Sequence, residues 1–217
     1  MATKKNYHHG DLRKELIDTA LEIISEQGLE KVSMRGLGQR LGVSRTAPYR
    51  HFPGKSALLC AIAEEGYKEL TKAMNHANRQ LSDDPLTRMM NTGIAYVEFA
   101  IAKPVHYRIM FGNEILENDR TPELIKTAET SFNELLYAVK VCQDEGVVKP
   151  LNTYIIANTL WATTHGVSTL LIDGQIQAVN AMMDVPALVQ PGDDTGLVDV
   201  KKIFDAMSEI VFTGLIL

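Results

Sequence analysis

Apolar side chains recur at helical spacing along most of this 217-residue chain. Residues three and four positions apart lie on one face of an α-helix, so each such run predicts an amphipathic helix. No stretch shows the apolar and polar alternation that is typical of a half-buried strand, and the sequence has no internal repeat. The pattern predicts an all-α fold of nine or ten helices, at about residues 11–27, 33–41, 44–52, 55–81, 85–103, 105–111, 121–145, 152–172, 176–183 and 199–215.

The stretch from Lys31 to Lys55 predicts two short helices joined by a tight turn. Ser33 is placed to cap the first helix, and Gly42 ends it because glycine adopts the left-handed cap conformation easily. Ser44 is placed to cap the second helix. Two helices in this arrangement form a helix-turn-helix, whose second helix enters the DNA major groove.

Polar and basic side chains share one face of the predicted second helix. Two guanidinium groups, a hydroxyl and a phenol fall within an arc of about 140°, formed by Arg45, Thr46, Tyr49 and Arg50. Pro48 and Phe52 point to the opposite side. This face therefore has the chemistry needed to contact DNA.

The run GVSRTAPYRHFPGKSALL, residues 42–59, resembles the DNA-binding signature of the tetracycline-repressor (TetR) family. Members carry Gly-Val-Ser, then Leu-Tyr-x-His/Tyr-Phe, then a Lys that opens the next helix. The resemblance implies base-edge contacts from Arg45, Thr46, Ala47 and Arg50. It also implies phosphate contacts from Ser44, Tyr49, His51 and Lys55, and Ser33 completes the set of candidate DNA-binding residues.

Pro48 departs from the family pattern, which usually has Leu at this position. With Ser44 as the cap, the missing N–H of Pro48 removes only the first hydrogen bond within the helix, although its ring crowds the carbonyl of Ser44. We therefore expect a slightly altered docking geometry on DNA.

Two functions from different classes fit the predicted helix-turn-helix. One is a ligand-responsive, DNA-binding transcriptional regulator that acts as a repressor. The alternative is a helical dimer that serves as an interaction or small-molecule sequestering module and does not read DNA. The outward face formed between Arg45 and Arg50 favours the regulator, because a packing unit has no need for those residue types at those spacings.

Charge divides the chain into a basic head and an acidic body. Residues 1–55 hold ten Lys and Arg against six acids (+4), and residues 56–217 hold twelve against twenty-one (−9), which together give the net charge of −5. Residues 1–55 are the predicted DNA-binding domain and residues 56–217 the predicted regulatory and dimerisation domain, connected by the helix from 55 to about 81. An acidic body limits binding to phosphate through the wrong face.

The sequence indicates a cytoplasmic protein. Lys4 and Lys5 near the N-terminus are not followed by the apolar core of a secretory signal, and no apolar stretch approaches the roughly 18 residues needed to span a bilayer. Cys60 and Cys142 are isolated, which favours buried thiols in a reducing compartment over a disulfide.

The sequence Trp161-x-x-x-His165-Gly166 resembles a C-terminal domain type found in part of the TetR family and named for its Trp, His and Gly. Trp161 and His165 share a helix face. One interpretation is a packed core or a dimer seam. The other is a ligand pocket, in which His165 is a polar group among apolar walls. The candidate ligand-binding residues are Tyr96, Phe99, Met110, Phe111, Trp161 and His165.

No motif for catalysis, for a cofactor or for a metal is present in the sequence. The expected partners are an operator in double-stranded DNA, a small apolar effector and a second copy of the chain. One recognition helix makes too few specific contacts, so a two-fold dimer on a near-palindromic operator is expected. The dimer interface is predicted to combine the helix around residues 160–171 with an apolar face of Ile203, Met207, Ile210 and Val211.

Overall fold

The computed structural model describes residues 11–79 and 84–176, together with two short strands at 191–192 and 197–198. Seven α-helices lie in the described part of the chain. They are α1 (Leu12–Gln27), α2 (Met34–Arg40), α3 (Lys55–Arg79), α4 (Pro85–Ala102), α5 (Pro104–Phe111), α6 (Pro122–Asp144) and α7 (Thr153–Ile172), with 3-10 helices at Leu29–Lys31, Pro48–Arg50 and Glu117–Asp119. The all-α fold class is confirmed.

Most of the α-helices begin where the sequence places a capping side chain. The side chains of Asp11, Ser33, Asp84 and Asn152 each accept a hydrogen bond from a backbone N–H in the first turn of the following helix. Each cap satisfies a donor that would otherwise lack a partner within the helix.

Within the described residues, a minimal strand pair departs from the all-helical pattern. Strand β1 (Pro191–Gly192) pairs antiparallel with β2 (Leu197–Val198). The sequence analysis found no strand, because two residues are too short to show an alternation pattern. The predicted helices at 176–183 and 199–215, including Ile203, Met207, Ile210 and Val211, lie largely or wholly outside the described residues, as does the arm at residues 1–10.

The chain forms two compact units. The first unit contains residues 1–65 and 105–125, and the second contains residues 66–104 and 126–217. The chain therefore passes between units three times: within α3, at the start of α5 and within α6. The assignment of DNA binding to residues 1–55 and of regulation to residues 56–217 stays a prediction.

The core of the first unit is built on α1. Leu16, Ile17 and Ala20 are fully buried on one face of this helix, which contacts both α2 and the 3-10 helix at Pro48–Arg50. The removal of this apolar surface from water is the main favourable contribution to the packing of these helices.

The core of the second unit lies between α4, α6 and α7. Met89 of α4, Val139 of α6 and Ile156 of α7 belong to one buried apolar cluster. Val97 and Leu171 form a smaller cluster between α4 and α7. No helix in the described part of the chain is long and apolar enough to cross a membrane.

Candidate DNA-binding surface and ligand site

Helix α2 and the turn after it have the geometry of a helix-turn-helix. Ser33 Oγ accepts a hydrogen bond from the N–H of Gly36 at 3.1 Å, and Gly42 ends the helix with a φ of 68°. The N–H of Val43 donates to the carbonyl of Gly38 at 3.0 Å, which fixes the turn. The predicted cap and stop of this helix are confirmed.

The predicted second helix differs from the expected α-helix. Residues 45–47 form a turn, and Pro48–Arg50 form a 3-10 helix. The N–H of Ala47 donates to the carbonyl of Ser44 at 3.0 Å, and that of Arg50 donates to Ala47 at 3.2 Å. Pro48 has no N–H to donate to Ser44, so the hydrogen bond that would continue an α-helix is absent.

Residues 45–50 are called here the recognition segment, and the four side chains predicted to face outward are exposed in it. Arg45, Thr46 and Arg50 are exposed, and Tyr49 is 51% exposed. Pro48 is buried. These four outward side chains are thus available to a ligand as large as a DNA duplex.

The remaining candidate DNA-binding residues surround the recognition segment. Ser33, Ser44 and His51 are exposed, whereas Ala47 is half-buried. Lys55 is half-buried at the start of α3, and its Nζ donates to the backbone carbonyl of Leu29 at 2.6 Å. An ammonium group has three N–H donors, so two remain for other partners.

Two cationic contacts that sequence reasoning missed join α1 to the elements around the recognition segment. Arg40, at the end of α2, pairs with Glu22 and Glu26 of α1 at 3.3 and 3.6 Å. The guanidinium of Arg13 lies 5.3 Å from the centroid of the Phe52 ring, a cation–π distance. Each contact joins residues at least 14 positions apart in the chain. Helical spacing shows which face of a helix these residues occupy, but it does not show these contacts.

The segment that enters α6 is bonded to α3 within the first unit. Ser56 Oγ donates to Asp119 Oδ2 at 2.9 Å, and Thr121 Oγ1 donates to Glu64 Oε1 at 2.9 Å. Thr121 Oγ1 also accepts from the N–H of Leu124 at 3.1 Å and so caps α6. One threonine therefore both starts α6 and ties it to α3.

Three of the candidate ligand-binding residues come together in the second unit. Tyr96 Oη lies 3.1 Å from His165 Nδ1, and Trp161 Nε1 donates to Tyr96 Oη at 3.3 Å. The Trp161 and His165 rings are 5.8 Å apart. Phe132 of α6 meets the Trp161 ring edge-on at 6.2 Å; the sequence analysis did not select it, although its helical spacing places it on the inner face.

Burial lowers the pKa of His165, because desolvation disfavours the charged imidazolium. A neutral His165 can accept the Tyr96 O–H at Nδ1 while Tyr96 Oη accepts from Trp161, so the three groups form one hydrogen-bond chain. Tyr96 is buried and Trp161 is exposed at one side. The hydrogen-bond chain therefore runs from a partly exposed indole to a buried hydroxyl and on to the imidazole.

The other candidate ligand-binding residues lie elsewhere. Phe99 is buried on α4 in the second unit. Met110 and Phe111 lie on α5 in the first unit, where the Phe111 ring is 4.9 Å from that of Tyr107.

Two models of known families match the chain. One is described as bacterial regulatory proteins of the tetR family and matches residues 16–62. The other is described as a tetracyclin repressor-like C-terminal domain and matches residues 89–190. The chain belongs to the TetR family. As a member of that family it is a DNA-binding transcriptional regulator.

Two relatives of this TetR-family chain match different shares of its length. Nucleoid occlusion factor SlmA of Vibrio vulnificus (strain YJ016) is 30% identical over 162 residues, covering 71% of this chain and 80% of that protein. Tetracycline repressor protein class C of Escherichia coli is 40% identical over 72 residues, which are 33% of this chain and 31% of that protein.

Solved structures agree over the full length. A protein of unknown function from Rhodococcus sp. RHA1 covers 99% of this chain and 100% of its own, with a TM-score of 0.78 and 28% identity. The ketosteroid transcriptional regulator KstR2 of Mycobacterium tuberculosis, at 16% identity and a TM-score of 0.63, covers 100% of this chain and 98% of its own. At that identity it shows the fold alone.

The resemblance of the C-terminal part to a Trp-His-Gly domain type stays a prediction. Within residues 11–79 and 84–176, no group of three His, Cys, Asp or Glu side chains could hold a metal ion. Cys60 and Cys142 are buried free thiols. Burial raises the pKa of both, that of Cys142 to about 11.

Proposed function

We propose that this regulator is a homodimeric repressor, acting in the cytoplasm, that binds a near-palindromic operator and is released by a small apolar effector. The observation that carries the proposal is the recognition segment, where Arg45, Thr46, Tyr49 and Arg50 are exposed together beside α2. The alternative, a module that does not read DNA, leaves this exposed set without a role.

The chemistry of the segment assigns its contacts. Arg45 and Arg50 carry planar guanidinium groups that suit bidentate hydrogen bonds to guanine O6 and N7, and Thr46 and Ala47 suit smaller contacts with base edges. Ser33, Ser44, Tyr49, His51 and Lys55 supply phosphate contacts, which position the protein without reading sequence. The net charge of +4 over residues 1–55 favours this approach to DNA.

A dimer supplies the second recognition segment. Helix α7 carries a stripe of mainly apolar and small side chains within an arc of about 80° at 100° per residue. It is formed by Ile155, Thr159, Ala162 and Leu170, which are exposed, and by Gly166, which is half-buried. Ile155 is 66% exposed, and a Cβ added at Gly166 would meet no atom within 4 Å. A two-fold copy of α7 packed on this stripe would bury it. The contribution of Ile203, Met207, Ile210 and Val211 stays a prediction.

The effector site is proposed around Tyr96, Trp161 and His165. Their aromatic rings, with that of Phe132 against Trp161, suit an apolar or aromatic molecule, and His165 or the Tyr96 hydroxyl would be its polar contact. Phe99 is a candidate wall in the same unit, whereas Met110 and Phe111 lie on α5 in the first unit and are not part of this proposed site.

Release from DNA requires that the effector bind the DNA-incompetent state more tightly. Helix α3 belongs to both units, so a displacement of its part in the second unit is carried along one continuous helix. A coupling free energy of about 1 to 3 kcal/mol would change operator affinity about 5- to 150-fold.

The DNA-binding part is tested by selecting genomic fragments on the purified protein and measuring their affinity by mobility shift at stated salt. Arg50→Ala should lose about 1 to 3 kcal/mol on the selected site. Arg40→Ala is the matched control, because it removes the same charge from a side chain that faces Glu22 and Glu26. Equal affinities for all three proteins would show that the recognition segment does not read DNA.

The effector part is tested by titrating apolar compounds while following the fluorescence of Trp161, the sole tryptophan of the sequence. Each compound that changes the emission is then added to the mobility shift. A bound compound that leaves operator affinity unchanged would contradict the proposed release.

A role in nucleoid occlusion is a second candidate, supported by the 30% identity with factors of that name over 162 residues. The two candidates differ in a strain that lacks the gene. Division septa placed over the nucleoid would favour this candidate, and changed transcription beside the bound sites would favour the repressor.

A further inference from the structure

We propose that Pro48 determines which bases the protein prefers, because it holds the end of the recognition segment, Pro48–Arg50, in a 3-10 conformation. The inference rests on the proposed reading of operator DNA and adds a specificity-determining residue that does not itself touch a base. Pro48 acts by positioning Tyr49 and Arg50 relative to Arg45 and Thr46.

The hydrogen bonds of the segment show the effect of the missing donor. The carbonyl of Ser44 accepts from Ala47 at 3.0 Å, three residues on, rather than from residue 48. The carbonyl of Ala47 accepts from Arg50 at 3.2 Å, and that of Pro48 accepts from His51 at 3.1 Å. A run of such bonds from residue i to i+3 defines the tighter 3-10 helix. The Pro48 carbonyl also accepts from the N–H of Phe52 at 3.0 Å, an α-type bond that follows the 3-10 turn.

Packing against α2 fixes Pro48 in place. Pro48 is buried, and a Cβ built on Gly38 would lie only 3.2 Å from Pro48 Cγ. Position 38 is therefore occupied by a residue without a side chain at the point where the proline ring approaches. The two residues are matched in shape, and the 3-10 segment is seated on the first helix of the motif rather than left to solvent.

The 3-10 conformation alters the direction of the side chains that are proposed to contact bases. An α-helix turns 100° and rises 1.5 Å per residue, whereas a 3-10 helix turns 120° and rises 2.0 Å. Within the recognition segment only Pro48–Arg50 is 3-10, so over the two residue steps from Pro48 to Arg50 this geometry adds about 40° of rotation and about 1 Å of rise. Successive bases are about 3.4 Å apart along a strand, so this change in direction and height alters which base edge Arg50 can reach.

Replacing Pro48 by Ala restores a backbone N–H within the segment and removes the ring that crowds the Ser44 carbonyl. The segment can then continue as an α-helix, which moves Arg50 towards the face of Thr46. The variant should bind DNA, but with a different preference at the base pairs that Arg50 reads.

The test is selection from a randomised DNA library with the full-length wild type, Pro48→Ala and Pro53→Ala. Pro53 is the matched control, because it is exposed in the turn before α3 and lies outside the recognition segment. The base pairs read by Arg50 are identified as those whose preference is lost in Arg50→Ala.

At those base pairs, Pro48→Ala should change the affinity ratio between preferred and substituted sites about fivefold or more. Pro53→Ala should keep the wild-type motif. A Pro48→Ala motif that is the same as that of the wild type overturns the proposal but leaves DNA reading intact. A wild type that enriches no motif overturns both.

Two further measurements guard against a misfolded variant. Circular dichroism and thermal unfolding report whether Pro48→Ala folds, and Pro48→Leu, which refills the buried space and also restores the N–H, is selected in parallel. Nuclear Overhauser contacts across residues 44–50 of the wild-type complex give a direct answer that needs no variant. Contacts between residues i and i+2 are expected for a bound 3-10 segment, and a pattern of contacts between i and i+4 would overturn the proposal.

Discussion

Lys55 combines a structural contact with a proposed contact to DNA. Its Nζ donates to the carbonyl of Leu29, 26 residues earlier in the chain, so the side chain ties the start of α3 to the loop before α2. The sequence shows a lysine at a family position, but a contact with a backbone group so distant in sequence is visible only in the structure.

We expect Lys55→Ala to weaken binding to all DNA sequences by a similar factor and to reduce the salt slope of log affinity by about one unit. It should also lower the free energy of unfolding by about 1.5 to 3 kcal/mol, the range for a hydrogen bond made by a charged donor. Lys55→Arg keeps the charge and serves as the control. A loss confined to the operator, with unrelated DNA unaffected, would contradict a phosphate contact.

The two thiols should be inert in the folded protein. The thiolate is the reactive form, and with a pKa of about 11 for Cys142 only about one molecule in 1,000 carries it at pH 8. Cys60 is buried as well. A chromogenic disulfide reagent at pH 8 should therefore titrate both thiols only after unfolding in guanidinium chloride. Rapid reaction of either thiol in the native protein would contradict this expectation.

At the scale of elements, helix boundaries followed from caps and periodicity where both were strong. The helices predicted from the Asp11, Ser33 and Asn152 positions begin there, because cap chemistry acts within one turn and needs no tertiary information. The recognition segment differed, since a single proline among six residues leaves too few hydrogen bonds to nucleate an α-helix.

The two candidate sites also differ in how much of each could be predicted from the sequence, because one depends on local spacing and the other on contacts between distant residues. The exposure of the polar side chains between Arg45 and Arg50 could be predicted from local residue types and spacing. The meeting of Tyr96 with His165, 69 residues apart, depends on how α4 packs against α7, which helical periodicity does not specify. These residues could therefore be chosen as candidates from the sequence, but the hydrogen bonds that join them could not be predicted.

Thr121 tests the bonding of α6 to α3. Thr121→Val removes both the cap on Leu124 and the hydrogen bond to Glu64, and should lower the free energy of unfolding by about 1 to 3 kcal/mol. Thr130→Val is the control within α6, because the Thr130 hydroxyl bonds only its own helix, at the Lys126 carbonyl, and is exposed. Equal losses in urea unfolding would show that the Thr121 contacts contribute nothing.

At the scale of the whole molecule, the proposed function requires two copies. Ala162 lies in the middle of the exposed stripe of α7, so Ala162→Glu would place a carboxylate in the buried interface of a dimer. The variant should sediment as a monomer and bind the operator weakly. Ala102→Glu makes the same change at an exposed position on α4 and should remain dimeric. A wild type that is monomeric at micromolar concentration would contradict the proposed dimer.

The central claim is that Arg50 reads a base within the operator, and a double-mutant cycle between protein and DNA tests it most directly. Affinities are measured for wild type and Arg50→Ala on the operator and on variants with one base pair changed. We predict one position per half-site where changing the base pair lowers the binding free energy of the wild type by about 1 to 3 kcal/mol. The same change should hardly affect Arg50→Ala, because that variant has already lost the side chain that contacts the base. If every base substitution costs both proteins the same, Arg50 does not read the sequence and the account is contradicted.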